Sequence, residues 1–261
     1  MDLQLHGRTA VVTGASKGIG LAITQALVAE GAYVIAGART RTDEISVLES
    51  GGAVTFVPVD LSTPDGASIL VDAAGSRDGI DILINNVGRV TPRPNGFAGI
   101  TDSDWLESLT MTFLSAVRTT RAALPGITGR GGGSIVTVSS VNAFLPDPTI
   151  MDYCAAKAAL TNFSKSLSKE VASQGVRVNS VSPGPVTTEL WTGSQGVAAT
   201  VSRASGIKAQ DVIDRTAANV ETGRFTTPEE VADLVVFLAS PRAANITGAD
   251  FTIDGGLIKT L

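Results

Sequence analysis

Short apolar runs alternate with amphipathic stretches along this chain of 261 residues. Most of the runs are continuously apolar, which is typical of parallel strands that are covered on both faces. They predict strands at Thr9–Thr13, Tyr33–Gly37, Ala53–Pro58, Ile80–Ile84, Ser134–Ser139, Val176–Ser182 and Asp250–Ile253. Helical periodicity and helix start signals predict helices at Gly18–Glu30, Asp65–Gly75, Asp102–Leu124, Asp152–Gln174 and Pro228–Ser240.

This alternation predicts an α/β fold in which a doubly wound, Rossmann-type parallel sheet of seven strands carries helices on both faces. No repeat, low-complexity tract or linker divides the sequence, so residues 1–261 are expected to form one domain. From Glu189 to about Gly223 the pattern becomes small, polar and irregular, with weak helical character near Ala209–Asn219. Because this segment follows the sixth strand, we expect a lid over the substrate at residues 189–223; the alternative is a long surface insertion.

Composition narrows the possible functions. The net charge is −5 and there is no run of Lys or Arg, so neither nucleic acid nor an anionic membrane is an expected partner. Cys154 and His6 are the only cysteine and histidine, which excludes an intramolecular disulfide and Ser-His-Asp hydrolysis and leaves no metal site expected. With no signal peptide and no apolar stretch of about 20 residues, a soluble, cytoplasmic protein is expected.

A glycine-rich turn, Gly14-Ala-Ser-Lys-Gly-Ile-Gly20, joins the first strand to the first helix. Its spacing differs from the Gly-x-Gly-x-x-Gly pattern, but the physics is the same. A tight turn lets the backbone approach a pyrophosphate, and the helix N-terminus presents unpaired N–H groups and the positive end of its dipole. The turn therefore predicts a dinucleotide site.

The end of the second strand indicates which dinucleotide binds. A carboxylate there would bind the 2′-hydroxyl of NAD, whereas arginine accommodates the 2′-phosphate of NADP. After the second strand the chain has Arg39 and Arg41 and no acid until Asp43, and Lys17 lies in the glycine turn. These cations favour NADP(H). The alternative is that both arginines are ordinary solvated side chains.

A candidate acid–base pair lies in the helix after the fifth strand. Tyr153 and Lys157 are one helical turn apart, and Ser140 ends the preceding strand. A phenol has a pKa of about 10, and a nearby ammonium is expected to lower it toward the working range. Tyrosine could then donate a proton to a carbonyl oxygen. Taken alone, the pair favours a surface tyrosine beside a solvated lysine, because helices often carry Tyr and Lys at this spacing.

Six motifs in order make the chain resemble the short-chain dehydrogenase/reductase family. Each has a counterpart in the family pattern: the cofactor turn, the Asp-hydrophobic pair after the third strand, an Asn-Asn-Ala-Gly motif, the catalytic Ser, Tyr and Lys, the segment that holds the nicotinamide carboxamide, and a C-terminal signature. Here they read Thr13–Gly20, Asp60-Leu61, Asn85-Asn86-Val87-Gly88, Ser140 with Tyr153 and Lys157, Asn179–Thr188, and Thr247-Gly248 with Asp254-Gly255-Gly256.

The resemblance implies roles for individual residues. Tyr153 would be the general acid in reduction and the base in oxidation, Lys157 would bind the nicotinamide ribose, and Ser140 would stabilise the substrate oxygen. Ser139 is a rival for the serine role, but the family's spacing to tyrosine favours Ser140. The implied cofactor contacts are Gly14, Ser16, Lys17, Gly18, Ile19, Gly20, Arg39, Asp60, Leu61, Asn86, Val87, Gly88, Tyr153, Lys157, Pro183, Gly184, Val186 and Thr188.

Val87 replaces the alanine of the Asn-Asn-Ala-Gly motif, and one further position departs from the family pattern with consequences for activity. Thr112 occupies the place where the family has an asparagine that supports a water chain behind the lysine. Threonine keeps a hydroxyl but loses the amide, so proton relay could be slower. An active enzyme is expected; the alternative is a relative that binds the cofactor but is catalytically weak or regulatory.

The remaining expectations concern partners. The expected substrate is a small carbonyl compound or alcohol, and an apolar wall from Phe144, Leu145, Met151, Leu190 and Trp191 favours a largely apolar one. Arg89 and Arg93 could bind an acidic group or be solvated. An enoyl reductase and a sugar-nucleotide epimerase fit less well, because the former commonly spaces Tyr and Lys further apart and the latter needs a longer C-terminal part. Relatives bury their long apolar helices between subunits, which implies a homo-oligomer, a tetramer or dimer.

Overall fold

All seven strands belong to one parallel sheet. The computed structural model describes residues 1–77, 79–194 and 196–260. Within them the strands are ordered β3-β2-β1-β4-β5-β6-β7, where β1 to β7 are Thr9–Thr13, Tyr33–Ala38, Val54–Pro58, Ile82–Asn85, Gly133–Val138, Val176–Pro183 and Asp250–Ile253. The predicted doubly wound fold is confirmed, and each predicted strand is present within two residues of its expected limits.

The helices cover both faces of this sheet. In chain order, α1 to α10 are Gly18–Ala29, Asp43–Ser50, Gly66–Asp72, Asp102–Leu109, Ser115–Gly129, Met151–Val171, Glu189–Thr192, Val197–Ser205, Ala209–Ala218 and Pro228–Ala239. One core packs α1 and α10 against the sheet, with Ile23, Leu27 and Val235 fully buried. The other core, on the opposite face, includes Leu70 and Ile127. The strands are buried from both sides, which explains their continuous apolar runs.

Three regions differ from the sequence prediction. Helix α2 was not predicted, although Thr42 caps it and Asp43 and Glu44 provide acidic first-turn residues. The single helix predicted at Asp102–Leu124 is divided by a π-helical turn, Thr110–Leu114. The segment expected to be irregular contains α7, α8 and α9, of which α9 coincides with the weak helical character predicted near Ala209–Asn219. Helices α7 and α8 are short and are bounded by Gly193, Gly196 and Gly206.

The predicted domain, residues 1–261, includes positions 78, 195 and 261, and the predicted lid includes position 195; these lie outside the described residues. Within the described part, no helix is long and apolar enough to cross a membrane.

Candidate active site

The fold brings Ser140, Tyr153 and Lys157 together at the carboxyl ends of the strands. Lys157 is buried, and its Nζ donates a hydrogen bond of 2.7 Å to the carbonyl oxygen of Val138, the last residue of β5. The same Nζ lies 5.7 Å from the ring centroid of Tyr153. The Ser140 side chain is close enough to the Tyr153 phenol to lower its pKa, against the larger effect of burial. The three side chains therefore share one site, as their spacing predicted.

Neighbouring serines at the end of β5 point to different partners. The Ser139 hydroxyl lies 2.6 Å from that of Thr161, which is on α6. Ser140 Oγ accepts a hydrogen bond from the backbone N–H of Asn142 and donates one to Asn142 Oδ1, each of 3.2 Å. The Ser139 hydroxyl is occupied by Thr161, whereas Ser140 influences the pKa of the Tyr153 phenol, which favours Ser140 for the predicted role.

Burial controls the pKa of both acid–base groups. Desolvation raises the pKa of Tyr153 to about 12, although the Ser140 side chain acts in the opposite direction. Desolvation also lowers the pKa of Lys157 to about 7. The prediction that Lys157 lowers the pKa of Tyr153 is therefore wrong for this structure. Its ammonium points toward the Val138 carbonyl, and burial of the phenol outweighs its effect.

Thr112 lies in the π-helical turn beside this site and is fully buried. Its Oγ1 accepts a hydrogen bond of 3.4 Å from the backbone N–H of Arg89. A Cβ placed on Gly88 would lie 3.8 Å from the Thr112 methyl group and 3.3 Å from Lys157 Nζ. Thr112 is thus close to the lysine, where the family alignment predicted it. π-Helical turns occur frequently at functional sites.

The glycine turn is too tight for side chains at its ends. Gly14 and Gly18 have φ of 65° and 54°, in the left-handed region that favours glycine. A Cβ on Gly20 would lie 2.1 Å from the carbonyl oxygen of Gly14. Lys17 precedes α1, and no side chain caps the first N–H groups of that helix. Backbone donors and a close-approach turn therefore coincide, as the sequence predicted.

A hydrogen-bonded clamp fixes this turn to the end of β4. The Thr13 hydroxyl donates to the Ile84 carbonyl (3.2 Å) and accepts from the N–H groups of Asn86 and Val87, at 2.8 and 3.1 Å. Asn86 Nδ2 donates to the carbonyl oxygens of Thr13 and Gly14. Asn86 thus supports the turn with its side chain. Thr13 was missed as a site residue, and its position at the end of a strand before glycine was the available signal.

The cations near the end of β2 have different surroundings. Arg41 Nη1 lies 3.2 Å from Glu49 Oε2, and its guanidinium is 5.0 Å from the centroid of Phe56. Arg39 is exposed. Lys17 is 74% exposed and lies 3.8 Å from Glu189, the first residue of α7. Arg39 and Lys17 are therefore accessible to a ligand, Lys17 despite its long contact with Glu189, whereas half-exposed Arg41 is held more closely by Glu49 and Phe56.

The other predicted cofactor residues line the same edge of the sheet. Hydrogen bonds from the backbone and side chain of Ser62 lower the pKa of Asp60, with a smaller contribution from Arg39. The side chain of Leu61 is in the core, so a ligand could reach only its backbone. The remaining residues are Ser16, which is buried; Ile19, which packs against the core of α1; Pro183 at the end of β6; and Gly184, Val186 and Thr188 in the connection to α7.

The geometry fits a dinucleotide along this edge. A Cβ on Gly18 would meet the Thr188 methyl group at 3.3 Å, so the glycine turn and the segment after β6 face each other. Backbone N–H groups, two accessible cations and a buried lysine are a donor set suited to phosphates and ribose hydroxyls. Among the described residues, no group of His, Cys, Asp and Glu could hold a metal ion.

Apolar side chains surround the entrance to the site. Phe144, Leu145 and Leu190 are 48%, 43% and 46% exposed. The Trp191 ring packs edge-on against Phe225, with centroids 5.2 Å apart, so it stabilises the segment after β6. Arg89 and Arg93 both form ion pairs, with Glu107 and with Asp104 and Asp152, instead of being left for an acidic ligand.

Comparisons with known proteins cover nearly the whole chain. A family model described as Enoyl-(Acyl carrier protein) reductase matches residues 14–258. The uncharacterized oxidoreductase YvrD of Bacillus subtilis is 35% identical, with 100% of both chains covered. The 3-oxoacyl-[acyl-carrier-protein] reductase FabG of Vibrio harveyi is 34% identical over 98% of this chain and 99% of its own.

A solved structure shows the same architecture. L-Sorbose reductase from Gluconobacter frateurii, crystallised with NADPH and L-sorbose, matches with a TM-score of 0.91 and 35% identity over 100% of both chains. The chain therefore belongs to the short-chain dehydrogenase/reductase family, a family of oxidoreductases.

Proposed function

We propose that this protein is an NADP(H)-dependent reductase of ketones that also catalyses the reverse oxidation of secondary alcohols. The observation that carries the proposal is that the Tyr153 phenol lies close to Ser140 and to buried Lys157, beside the glycine turn. The reductase relatives support the same class of reaction.

The proposed mechanism assigns one task to each side chain. When bound, the dinucleotide supplies the hydride. Tyr153 donates its proton to the carbonyl oxygen of the substrate, and Ser140 donates a hydrogen bond to that oxygen as negative charge develops on it. Lys157 supplies positive charge behind the phenol. Asn142 holds Ser140 in place before substrate binds.

Burial raises the pKa of Tyr153 to about 12, so the phenol carries its proton at neutral pH and has one to donate to a carbonyl oxygen. The exposed apolar side chains at the entrance support an uncharged ketone with an apolar substituent.

The preference for NADP(H) rests on Arg39 and Lys17. Arg39 is exposed just after β2 and Lys17 is exposed in the glycine turn, and no acidic residue lies between the end of β2 and Asp43. The NADPH bound to the sorbose reductase agrees with this assignment.

A substrate screen tests the reaction. NADPH oxidation is measured by absorbance with aliphatic and aromatic ketones, ketoses, 3-oxoacyl thioesters and enoyl thioesters. We expect turnover of ketones and loss of about 10²–10⁴-fold in kcat for Tyr153→Phe. Turnover of enoyl thioesters alone would reject a carbonyl reductase. Dinucleotide binding without any turnover would favour the alternative of an inactive, regulatory relative. That alternative arises because Thr112 replaces the asparagine of the family pattern.

A pair of arginine variants tests the choice of dinucleotide. Arg39→Ala should reduce kcat/KM for NADPH about tenfold or more and leave that for NADH almost unchanged, because it removes a phosphate-binding cation. Arg41→Ala is the matched control, since Arg41 is already paired with Glu49. A wild-type preference for NADH would contradict the assignment.

The architecture around the site completes the proposal. Residues 1–261 act as one domain, and α7 to α9 within 189–223 act as the lid over the substrate.

Exposed apolar residues such as Phe97 and Leu106 support burial of the α4 region in a homo-oligomer, a tetramer or dimer. Light scattering at micromolar concentration tests this assembly, and a monomer would contradict it.

A further inference from the structure

We propose that Arg93 is a positioning residue, which fixes the first turn of α6, and with it Tyr153, against the loop that follows β4. This inference rests on the proposed function, because it assigns the proton donor to Tyr153.

Arg93 joins three segments of the chain. Its Nη2 and Nε donate to Asp152 Oδ2, at 2.7 and 3.2 Å, and its Nη1 donates to Asp104 Oδ1 at 2.7 Å. Its backbone N–H donates to the carbonyl oxygen of Thr149, also at 2.7 Å. The loop after β4, helix α4 and the beginning of α6 are thus tied together by one residue.

The negative charge of the buried Asp152 carboxylate is balanced by Arg93. Its side chain is only 2% exposed, and that of Arg93 is 16% exposed. In the part of the chain that the structure describes, Asp152 Oδ1 has no hydrogen-bond partner, and Oδ2 accepts only from Arg93. A buried carboxylate without its partner is strongly destabilising. The position of Asp152 is therefore set by the guanidinium group.

Asp104, the second carboxylate that Arg93 contacts, is also held in a fixed position. Asp104 Oδ2 accepts hydrogen bonds from the backbone N–H and the hydroxyl of Thr101, which form the capping box of α4. Its Oδ1 remains for Arg93. The guanidinium is therefore held between a helix start whose geometry is fixed and the first turn of α6, where no side chain serves as the N-cap.

The contacts of Arg93 link the two segments that flank the catalytic site, the first turn of α6 and the loop after β4. Asp152 immediately precedes Tyr153, and the loop that bears Arg93 begins at Gly88, beside Lys157 Nζ. A misplacement of about 1 Å between reacting groups can cost about 10²-fold in rate. Arg93 fixes the position of the Tyr153 phenol relative to the loop that begins at Gly88. Its loss should therefore affect the rate of reaction more than the binding of dinucleotide.

An exposed ion pair on the same two elements provides the control. Arg89 and Glu107 lie on the same loop and on α4, with Nη1 and Oε1 2.6 Å apart, but both side chains are 55% exposed. Surface pairs of this kind contribute little. Glu107→Gln therefore changes charge on the same elements without disturbing a buried contact.

The main test is the double variant Arg93→Met with Asp152→Leu. It removes both charges together, and buried ion pairs replaced by apolar residues often retain the fold. We expect unchanged circular dichroism, a Kd for NADPH within about threefold, and kcat for ketone reduction lower by about 30-fold or more. Glu107→Gln should keep kcat within about twofold.

A conservative variant decides the question if the double variant does not fold. Arg93→Lys keeps the charge but cannot contact both carboxylates with a rigid fork, so kcat should fall about tenfold while KM for NADPH stays unchanged. If a folded double variant, or Arg93→Lys, kept kcat within about twofold of wild type, the inference would be overturned. Wild-type protein without turnover of any ketone would instead overturn the proposed function, and this inference with it.

Discussion

The two ends of the sheet both bury charged side chains, but they surround them differently. At the amino end, Asp81 accepts hydrogen bonds from Arg8 Nη1 (2.8 Å), Arg130 Nε (3.1 Å) and the backbone N–H of Thr9 (2.9 Å). At the carboxyl end, the Lys157 ammonium donates to one backbone carbonyl, and burial lowers its pKa to about 7. One buried charge is compensated by opposite charges, and the other is not.

This difference separates stability from chemistry within one fold. A compensated ion such as Asp81 fixes the strands β1 and β4 and the segment before β5 relative to each other. A lysine and a phenol with pKa values displaced by burial are costly for the folded state, but they supply groups that can change protonation during a reaction. The two ends should therefore respond in opposite ways to substitution.

The largest effect is expected at the carboxyl end. Lys157→Met should lower kcat by about 10²–10⁴-fold, because it removes the charge behind the Tyr153 phenol. The free energy of unfolding at pH 6–7 should not fall, since a poorly compensated buried charge is removed. Ketone reduction and urea unfolding measure the two quantities. If Lys157→Met unfolded more easily and kept its activity, Lys157 would serve stability rather than chemistry, contrary to this comparison.

The pH dependence of stability gives a second test of Lys157. Its pKa is about 7 in the folded chain and 10.5 as the ordinary value. Between these values the unfolded chain retains a proton that the folded chain has lost, so raising the pH stabilises wild type.

Relative to Lys157→Met, wild type should therefore gain a few kcal/mol in its free energy of unfolding between pH 7 and 10. Tyr153 acts in the opposite direction above pH 10, because its folded-state pKa is about 12. Urea unfolding between pH 6 and 10 measures the difference, and parallel curves for both proteins would contradict it.

At the amino end, Asp81→Asn should reduce the free energy of unfolding by about 2 kcal/mol, below the value for a fully buried pair because Arg8 and Arg130 are partly exposed. The kcat should remain unchanged, since the site lies at the opposite end of the sheet. Asp65→Asn, an exposed acid at the start of α3, is the control. A loss of kcat with Asp81→Asn and unchanged stability would show that the two ends are not separable in this way.

A steric change at the glycine turn should weaken binding rather than chemistry. Gly20→Ala would place a methyl group 2.1 Å from the carbonyl oxygen of Gly14, so the turn must shift. Overpacking of this kind costs about 1–3 kcal/mol, and the Kd for NADPH should rise about tenfold or more. Fluorescence titration measures it. Gly75→Ala, where a Cβ would meet nothing within 4 Å, should leave Kd unchanged.

The smallest effect is expected at Thr112. Thr112→Asn should leave kcat within about tenfold, because the Thr112 hydroxyl already bonds to the backbone beside Gly88 and the site is assembled without the amide. Steady-state ketone reduction measures it. A gain in kcat of some hundreds-fold would instead mean that proton relay limits the rate of this enzyme, and that the catalytic site lacks a group it needs.

Local pattern was sufficient for much of the fold and part of the site. Apolar runs, most of them continuous, located the seven strands, because a strand buried on both faces carries mainly apolar side chains. The order of motifs predicted that Ser140, Tyr153 and Lys157 would share a site. Helix α2 was not predicted despite its capping signals, and neither were α7 and α8, which are short and bounded by glycine.

The sequence by itself determined the sheet, the glycine turn and the identity of the acid–base side chains, since these depend on periodicity and on spacing within single elements. Only the tertiary structure decided that Arg41 pairs with Glu49 while Arg39 stays accessible, that Thr13 clamps the turn, and that Arg93 compensates Asp152. It also reversed the expected direction of the Tyr153 pKa. Ion pairing and desolvation depend on neighbours that are distant in the chain, and no local pattern records them.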